Sequence, residues 1–163
     1  MMSSEFQMEA PSRIDPDELR SFYARQGYET THSAEKLGRM MKNTFCFVTA
    51  RKDGQLVGIA RGVTDGVRGL LVECKLDPGW QGPACVTKKD GRIEHDEHGV
   101  AKQMALRVIE ALKAAGVERV DVLAYGTEVD FCEELGFRRA PGVVPLQMDI
   151  GEPVKATAEV SGV

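Results

Sequence analysis

The chain has 163 residues, and its 21 Lys and Arg against 25 Asp and Glu give a net charge of −4 with neutral histidines. This length is typical of one domain. The acidic balance argues against general nucleic-acid binding, which needs a basic surface that displaces counterions from phosphates. No apolar run approaches the roughly 20 residues of a membrane span. The segment Met1 to Met8 does not resemble a secretion signal, so we expect a cytoplasmic protein.

The cysteines and histidines do not indicate a metal site. His95 and His98 flank two acidic residues, but a solvated loop explains them better because no distant ligand can be identified. No Cys-x-x-Cys pair is present, so we expect free thiols and no disulfides. The four cysteines are Cys46, Cys74, Cys85 and Cys132.

The first half of the chain predicts two helices after a short edge strand at Glu5–Glu9. Asp15 can cap the first helix, and Glu18 can reach back to the same cap. The second helix follows Thr31 or Ser33. Its apolar stripe contains Leu37, Met40 and Met41.

Three strand-like runs follow, separated by Asp-Gly turns that begin at Asp53 and Asp65. The runs are rich in β-branched and apolar residues. They span Thr44–Ala50, Gln55–Val63 and Val67–Leu76. This arrangement predicts an antiparallel meander.

The second half predicts a long helix that begins at Gly99, with apolar residues recurring every four positions. A strand at Val117–Ala124, a helix capped by Thr127 and a final strand at Gly142–Ile150 follow. The long helix must cross over between parallel strands. The order therefore predicts an α/β fold with a mixed sheet.

These elements form one domain at residues 14–150, between an N-terminal segment at 1–13 and a flexible C-terminal tail at 151–163. An insert at 84–98 separates the third strand of the meander from the long helix, and its turn at Asp90 predicts a small hairpin or flap. The glycine-containing turn at the start of that helix leaves backbone N–H groups that can hold a phosphate.

Four motifs in this order resemble the GCN5-related N-acetyltransferase (GNAT) family across Ile14 to Ile150. They are Gly54–Arg61 with Thr64–Gly66, Leu76–Gly82, Val108–Leu112 and Phe131–Phe137. The resemblance implies a single-domain GNAT-like fold, with a mixed, mostly antiparallel sheet flanked by helices. It also implies acetyl-CoA as co-substrate, bound where two parallel strands separate.

The resemblance assigns residues to both parts of the cofactor. The backbone of Cys74, Lys75 and Leu76 would contact the pantetheine arm. The pyrophosphate would contact Gln81, Gly82, Gly99, Val100, Ala101 and Lys102. The family's phosphate loop is normally continuous, whereas here about 15 residues interrupt it. The insert can return at Gly99 and preserve the helix amides, or it can destroy the phosphate cradle. Asp96 and Glu97 would repel phosphates, and Lys88, Lys89 and Arg92 could compensate.

Glu73 is the candidate general base, at a position where several family members hold an acid. Amine attack on a thioester requires loss of a proton, and a carboxylate in an apolar strand can accept it. The alternative is a solvent-facing charge without a catalytic role. Cys132 stands where the family usually has the Tyr that protonates the leaving thiolate. Cys132 can donate that proton, or it is a small buried residue and Tyr125 or water donates it.

The sequence therefore predicts an acyltransferase that moves an acetyl group from acetyl-CoA to a primary amine of a small molecule by direct attack. The amine would enter past Phe22, Tyr23, Met40 and Met41. The alternative is a catalytically impaired GNAT-fold module for binding or regulation, with altered or absent CoA binding. The final strand also offers an edge through which a homodimer could form.

Overall fold

Five strands form one sheet in the computed structural model, which describes residues 6–27, 32–83, 85 and 90–151. The strands are β1 (Phe6–Glu9), β2 (Cys46–Lys52), β3 (Gln55–Thr64), β4 (Arg68–Leu76) and β5 (Arg119–Val122). The helices are α1 (Pro16–Arg25), α2 (Ala34–Asn43), α3 (Val100–Ala114) and α4 (Val129–Glu134). None of the helices within these residues is long and apolar enough to cross a membrane.

The sheet has the strand order β1-β2-β3-β4-β5. The first four strands pair antiparallel, and β5 pairs parallel to β4 after α3 crosses over. The mixed, mostly antiparallel sheet of the predicted α/β fold is therefore confirmed. The recorded pairing of β4 with β5 ends at Leu71 and Val122, although β4 continues to Leu76. The far half of β4 is thus free of its parallel neighbour.

Helices cover both faces of the sheet. On one face α3 packs against β2, β3 and β4, with Met104, Val108 and Leu112 fully buried. On the other face α1 and α2 bury Leu19, Phe22 and Leu37 against residues of β2 and β3. The two strand faces therefore each carry an apolar core, which explains why β2 and β3 are buried almost throughout.

Local polar contacts confirm the predicted caps at Asp15 and Ser33 and correct the roles predicted for Glu18 and Thr127. Asp15 does cap α1, but Glu18 forms two 2.7 Å hydrogen bonds with Arg51 of β2 and does not reach back to the cap. Ser33 caps α2 by accepting from the amide of Lys36. A short 3-10 helix at Gly126–Glu128 precedes α4, so Thr127 lies inside a helical turn and does not cap α4.

The predicted final strand is wrong. Gly142–Ile150 has no regular secondary structure, and Leu146 and Ile150 are 90% and 89% exposed. Alternating apolar residues suit a strand only where a neighbouring strand supplies backbone partners, and Pro145 lacks the N–H that such pairing uses. Of the predicted tail, 152–163 lies outside the described residues. The same holds for residues 84 and 86–89 of the predicted hairpin.

The close approach of α3 to β3 depends on Gly62. A Cβ added there would lie 2.6 Å from Cγ1 of Val108 and 3.4 Å from the carbonyl of Leu70. We expect Gly62→Ala to lower the free energy of unfolding by about 1–3 kcal/mol because α3 must shift away from the sheet. Urea denaturation measures this difference. The control is Gly126→Ala, where no atom lies within 4 Å of the added Cβ. Equal stability of the two variants would contradict the expectation.

Candidate active site

A β-bulge in β4 orients the predicted base, Glu73. The register with β3 passes from Arg61 opposite Glu73 to Gly62 opposite Leu71, so Val72 is an extra residue in β4. An extra residue reverses the alternation of side chains along a strand. Leu71 therefore faces α3, whereas Glu73 points to the face that carries α1 and α2.

The Glu73 carboxylate is held by two neighbours. Its Oε2 accepts a 2.6 Å hydrogen bond from the Tyr23 hydroxyl of α1 and another of 2.6 Å from Nε of Arg61 on β3. Arg61 and Glu73 form an ion pair, and each of the two side chains is only 16% exposed. Glu73 is therefore neither solvent-facing nor in a purely apolar environment, because it is enclosed by the Arg61 guanidinium and the Tyr23 hydroxyl.

Tyr23 acts as a fixed hydrogen-bond donor in this cluster. Burial, followed by the neighbouring charge of Glu73, raises the pKa of Tyr23 far above its ordinary value. The phenol therefore remains protonated at any physiological pH. This keeps the hydroxyl available to donate to Glu73.

The four residues that were predicted to border the entry of the amine differ in how deeply they are buried. Phe22 is completely buried in the core beneath α1, so it supports this wall and cannot contact an entering ligand. Tyr23 is 9% exposed, and Met40 and Met41 of α2 are half-buried. Tyr23 and the two methionines remain available to border an acceptor beside Glu73.

At the start of α3, the insert itself occupies the amides that were predicted to hold a pyrophosphate. Gly99 adopts a left-handed conformation with φ 71° and precedes the helix. The Asp96 carboxylate then accepts from the amides of Ala101 and Lys102, each at 2.9 Å. A carboxylate is a favourable partner for the orphan amides and positive dipole end of a helix.

The insert also reaches the free half of β4. The carbonyl of Gly91 accepts a 3.0 Å hydrogen bond from the amide of Leu76, and the carbonyl of Asp90 accepts from Nζ of Lys75 at 2.7 Å. On the α3 side of β4, the Cys74 thiol is buried and lies 3.7 Å from the carbonyl of Ala101. Burial raises the pKa of Cys74 well above its ordinary value, so this thiol remains neutral.

Gln81 is a structural clamp for the insert. It is completely buried, and its Oε1 accepts from the amides of Glu94 and His95 at 2.8 and 3.0 Å. Its Nε2 donates to the carbonyls of Leu76 and Arg92 at 2.9 and 2.8 Å. Gln81 therefore ties the end of β4 to the insert, and its side chain has no free donor for a phosphate. An added Cβ at Gly82 would meet the side chain of Glu97 at 2.8 Å.

As arranged here, these residues do not fit the diphosphate of acetyl-CoA. The amides of Ala101 and Lys102 already bind a carboxylate, Gln81 is committed inside the protein, and the Leu76 amide is paired with Gly91. A diphosphate at this helix end would also face the negative charge of Asp96. The sequence left open whether the insert preserves or destroys the phosphate cradle at the start of α3. In the described conformation the insert fills this cradle.

The two candidate proton donors lie in different environments. Cys132 is 6% exposed, and burial, followed by the nearby Glu128, raises its pKa to about 11. Tyr125 is 53% exposed, and the guanidinium of Arg92 lies 3.4 Å from its ring centroid. Burial also raises the pKa of Glu128, whose carboxylate accepts from the amides of Ile93 and Tyr125. Glu128 thereby links the insert to the segment after β5.

Sequence reasoning missed the partners that define this site. Arg61 was not predicted as a site residue, yet it holds Glu73, and the bulge that brings them together has no sequence signature. Asp96 was considered only as a repulsive charge, because it lies before Gly99, outside the N-cap position at which an Asp signals the start of a helix. Within the described part of the chain, no group of three or more His, Cys, Asp or Glu side chains could hold a metal ion.

Solved structures that are similar to this chain include acetyltransferases. A GNAT-family acetyltransferase from Streptococcus pneumoniae is 14% identical, with a TM-score of 0.61 over 88% of this chain and 99% of the other. An aminoglycoside acetyltransferase from an uncultured soil metagenomic sample, in complex with sisomicin, is 15% identical, with a TM-score of 0.64 over 93% and 100%. Glucosamine-6-phosphate N-acetyltransferase from Arabidopsis thaliana is 10% identical, with a TM-score of 0.63 over 88% and 99%.

No family model and no curated protein sequence matches the chain. At these identities the structural likeness establishes the fold alone. The chain has the GNAT acetyltransferase fold, as the sequence motifs indicated.

The clamp formed by Gln81 gives a stability prediction. We expect Gln81→Met to lower the free energy of unfolding by roughly 2–4 kcal/mol, because it leaves buried amides and carbonyls of the insert without partners. Urea denaturation measures the loss, and hydrogen exchange should become faster at the amides of Glu94 and His95. Gln103→Met, at an exposed position of α3, is the matched control. A Gln81→Met protein as stable as this control would show that the clamp is not needed.

Proposed function

We propose that this protein is an acyltransferase that transfers an acetyl group from acetyl-CoA to a primary amine of a small molecule. The observation that carries the proposal is the position of Glu73. It lies two residues beyond Leu71, the last residue of β4 that pairs with β5, and so stands where the parallel strands separate. Its neighbours Tyr23 and Arg61 fix a negative charge beside this gap.

The structural neighbours support the substrate class. Two of them are named for amine-bearing small molecules, an aminoglycoside and glucosamine 6-phosphate. A carboxylate beside Tyr23, on the face of the sheet whose apolar cluster also includes Met40 and Met41, suits a ligand with a cationic amine on a partly apolar body, because the opposite charge attracts the ammonium form. We therefore assign the acceptor to the α1/α2 side of the sheet.

The residues of the chain act on the acceptor side of the reaction. Glu73 accepts the proton that the ammonium group must lose before its nitrogen attacks, directly or through one water. Arg61 and Tyr23 position this carboxylate through the two hydrogen bonds to Oε2. We assign proton donation to the leaving group to Tyr125 in preference to Cys132, because Tyr125 is accessible to a ligand and Cys132 is buried.

A second candidate function follows from the insert. The contacts of Asp96 with Ala101 and Lys102 favour a GNAT-fold binding or regulatory module that does not bind CoA. The wild-type protein separates the two candidates, since a module without CoA binding shows no thermal shift with acetyl-CoA, whereas a ligand of the folded state raises its stability.

We expect Glu73→Gln to lower kcat by about 10²–10⁴-fold with little change in the KM for acetyl-CoA, because the variant cannot accept the proton. Thiol release from acetyl-CoA is measured with sisomicin, glucosamine 6-phosphate and a panel of simple primary amines. Glu110→Gln, at an exposed position of α3, removes the same charge away from the site and should keep wild-type turnover. Unchanged turnover in Glu73→Gln would remove the proposed role of this residue.

We also propose a homodimer formed through Gly142–Ile150. Leu146, Met148 and Ile150 alternate along this segment and are 84–90% exposed, and β5 has no strand on its outer edge among the described residues. A second copy suits both features, because each copy carries the apolar segment that the other's open edge can bind.

Sedimentation velocity at micromolar concentration tests the association. We expect the wild type to sediment as a dimer and the double variant Leu146→Lys, Met148→Lys as a monomer, because the added charges oppose burial of the segment. Arg138→Glu, at an exposed position before this segment, should remain dimeric. A monomeric wild type would refute the dimer.

A further inference from the structure

The Asp96 carboxylate binds the first turn of α3 in the way that an anionic ligand would. Oδ1 of Asp96 accepts a hydrogen bond from the amide of Ala101, and Oδ2 accepts one from the amide of Lys102, each at 2.9 Å. The oxygens of a phosphate group use adjacent amides of a helix N-terminus in the same way. These two amides cannot bind Asp96 and an anionic ligand at the same time.

The insert also forms hydrogen bonds with β4. Gly91 pairs with the amide of Leu76 at 3.0 Å, and Asp90 binds Nζ of Lys75 at 2.7 Å. Both contacts lie beyond Leu71, where β4 has left β5. The insert therefore provides backbone pairing for the part of β4 that an extended ligand in this gap would use.

An unsatisfied buried acceptor beside Gly91 is an independent sign of a ligand. Gln26 is 3% exposed, and its Nε2 donates to Oδ1 of Asp77. Its Oε1 is buried without a hydrogen-bond partner within the part of the chain that the structure describes. A Cβ built on Gly91 would lie 3.0 Å from this oxygen, so Gly91 packs directly against it without donating to it. An amide N–H of a ligand in place of Gly91 would satisfy Gln26.

We propose that Asp90–Asp96 is an internal ligand of the donor cleft, which must leave before acetyl-CoA binds. Asp96 takes the place of a phosphate on α3, and Gly91 takes the place of the amide-bearing arm on β4 beside Gln26. The identity of the donor rests on the proposed function. The occupation of an anion site by Asp96 does not.

Further contacts hold the segment in place when no donor is bound. The Glu128 carboxylate accepts from the amide of Ile93 at 3.2 Å, and Oε1 of Gln81 accepts from the amides of Glu94 and His95. The donor must compete with all of these contacts, and its apparent affinity is lowered by the small fraction of protein with an open cleft. Removing the charge of Asp96 should therefore strengthen donor binding.

The test compares Asp96→Asn with wild type, using CoA and inorganic pyrophosphate as probes and the ¹⁵N-resolved amide signals of Ala101 and Lys102 as readout. We expect Asp96→Asn to bind both probes at least tenfold more tightly than wild type, with movement of both amide signals. Glu97→Gln is the matched control, because it removes the adjacent charge of a half-exposed side chain that does not bind the α3 amides. The control should gain much less than tenfold, because it removes a nearby repulsive charge but leaves Asp96 on the amides of Ala101 and Lys102.

The outcomes separate the two proposals. Tenfold tighter pyrophosphate binding at these amides without CoA binding would support the internal ligand and contradict acetyl-CoA as donor. Equal affinity of Asp96→Asn and wild type for pyrophosphate would overturn the internal ligand. CoA that saturates the wild type while both amide signals stay in place would also overturn it, and would leave the proposed acetyl transfer standing.

A measurement on the unmodified chain covers the case in which Asp96→Asn does not fold. The ¹³C signal of the Asp96 carboxyl carbon is followed while CoA is added to wild type at millimolar concentration. We expect this signal to move toward that of a solvated carboxylate as CoA binds. CoA binding with an unchanged Asp96 signal would overturn the proposal.

Discussion

The hydrogen bonds of the Asp96 carboxylate with the first turn of α3 determine the state of the whole cleft. The orphan amides of a helix N-terminus need an acceptor, and here the chain supplies one from its own insert. This contact fixes the end of the insert, while the Gln81 clamp and the pairing of Gly91 with Leu76 fix the rest. A helix end that could receive a phosphate is thereby satisfied without one.

The two halves of the site are in different states. On the acceptor side, the bulge at Val72 turns Glu73 toward α1, where Tyr23 and Arg61 hold it in one orientation. The two hydrogen bonds to Oε2 fix the orientation of this carboxylate before any ligand binds, which is what the proposed role in amine deprotonation requires. On the donor side, the insert occupies the gap between β4 and β5. The GNAT acetyltransferase fold is thus combined with a fixed carboxylate on the proposed acceptor side and an insert that fills the proposed donor side.

Local signals account for the parts of the fold that the sequence could predict. The Asp-Gly turns fix the meander, and the apolar periodicity after Gly99 identifies α3, because these patterns act over a few residues. The site depends on contacts between residues far apart in the chain. Tyr23 lies 50 positions from Glu73, and the bulge that aligns Glu73 has no local signature.

The errors have a related physical origin. A strand pattern at Gly142–Ile150 reports only the preference of that segment, whereas a strand also needs a partner with free backbone groups. For Asp96, the expected repulsion of phosphate left out the contact it makes within the chain, where its carboxylate accepts from the amides of Ala101 and Lys102 at the start of α3. The charges of a loop do not reveal such a contact. An Asp whose carboxylate caps a helix and an Asp whose carboxylate is solvated look the same in the sequence.

A crystal structure of the protein grown with millimolar CoA tests the central claim most directly. The account predicts CoA phosphate oxygens on the amides of Ala101 and Lys102, with the Asp96 carboxylate and the Gly91 carbonyl withdrawn from their present partners. A structure in which CoA is bound while Asp96 still accepts from both amides would contradict it.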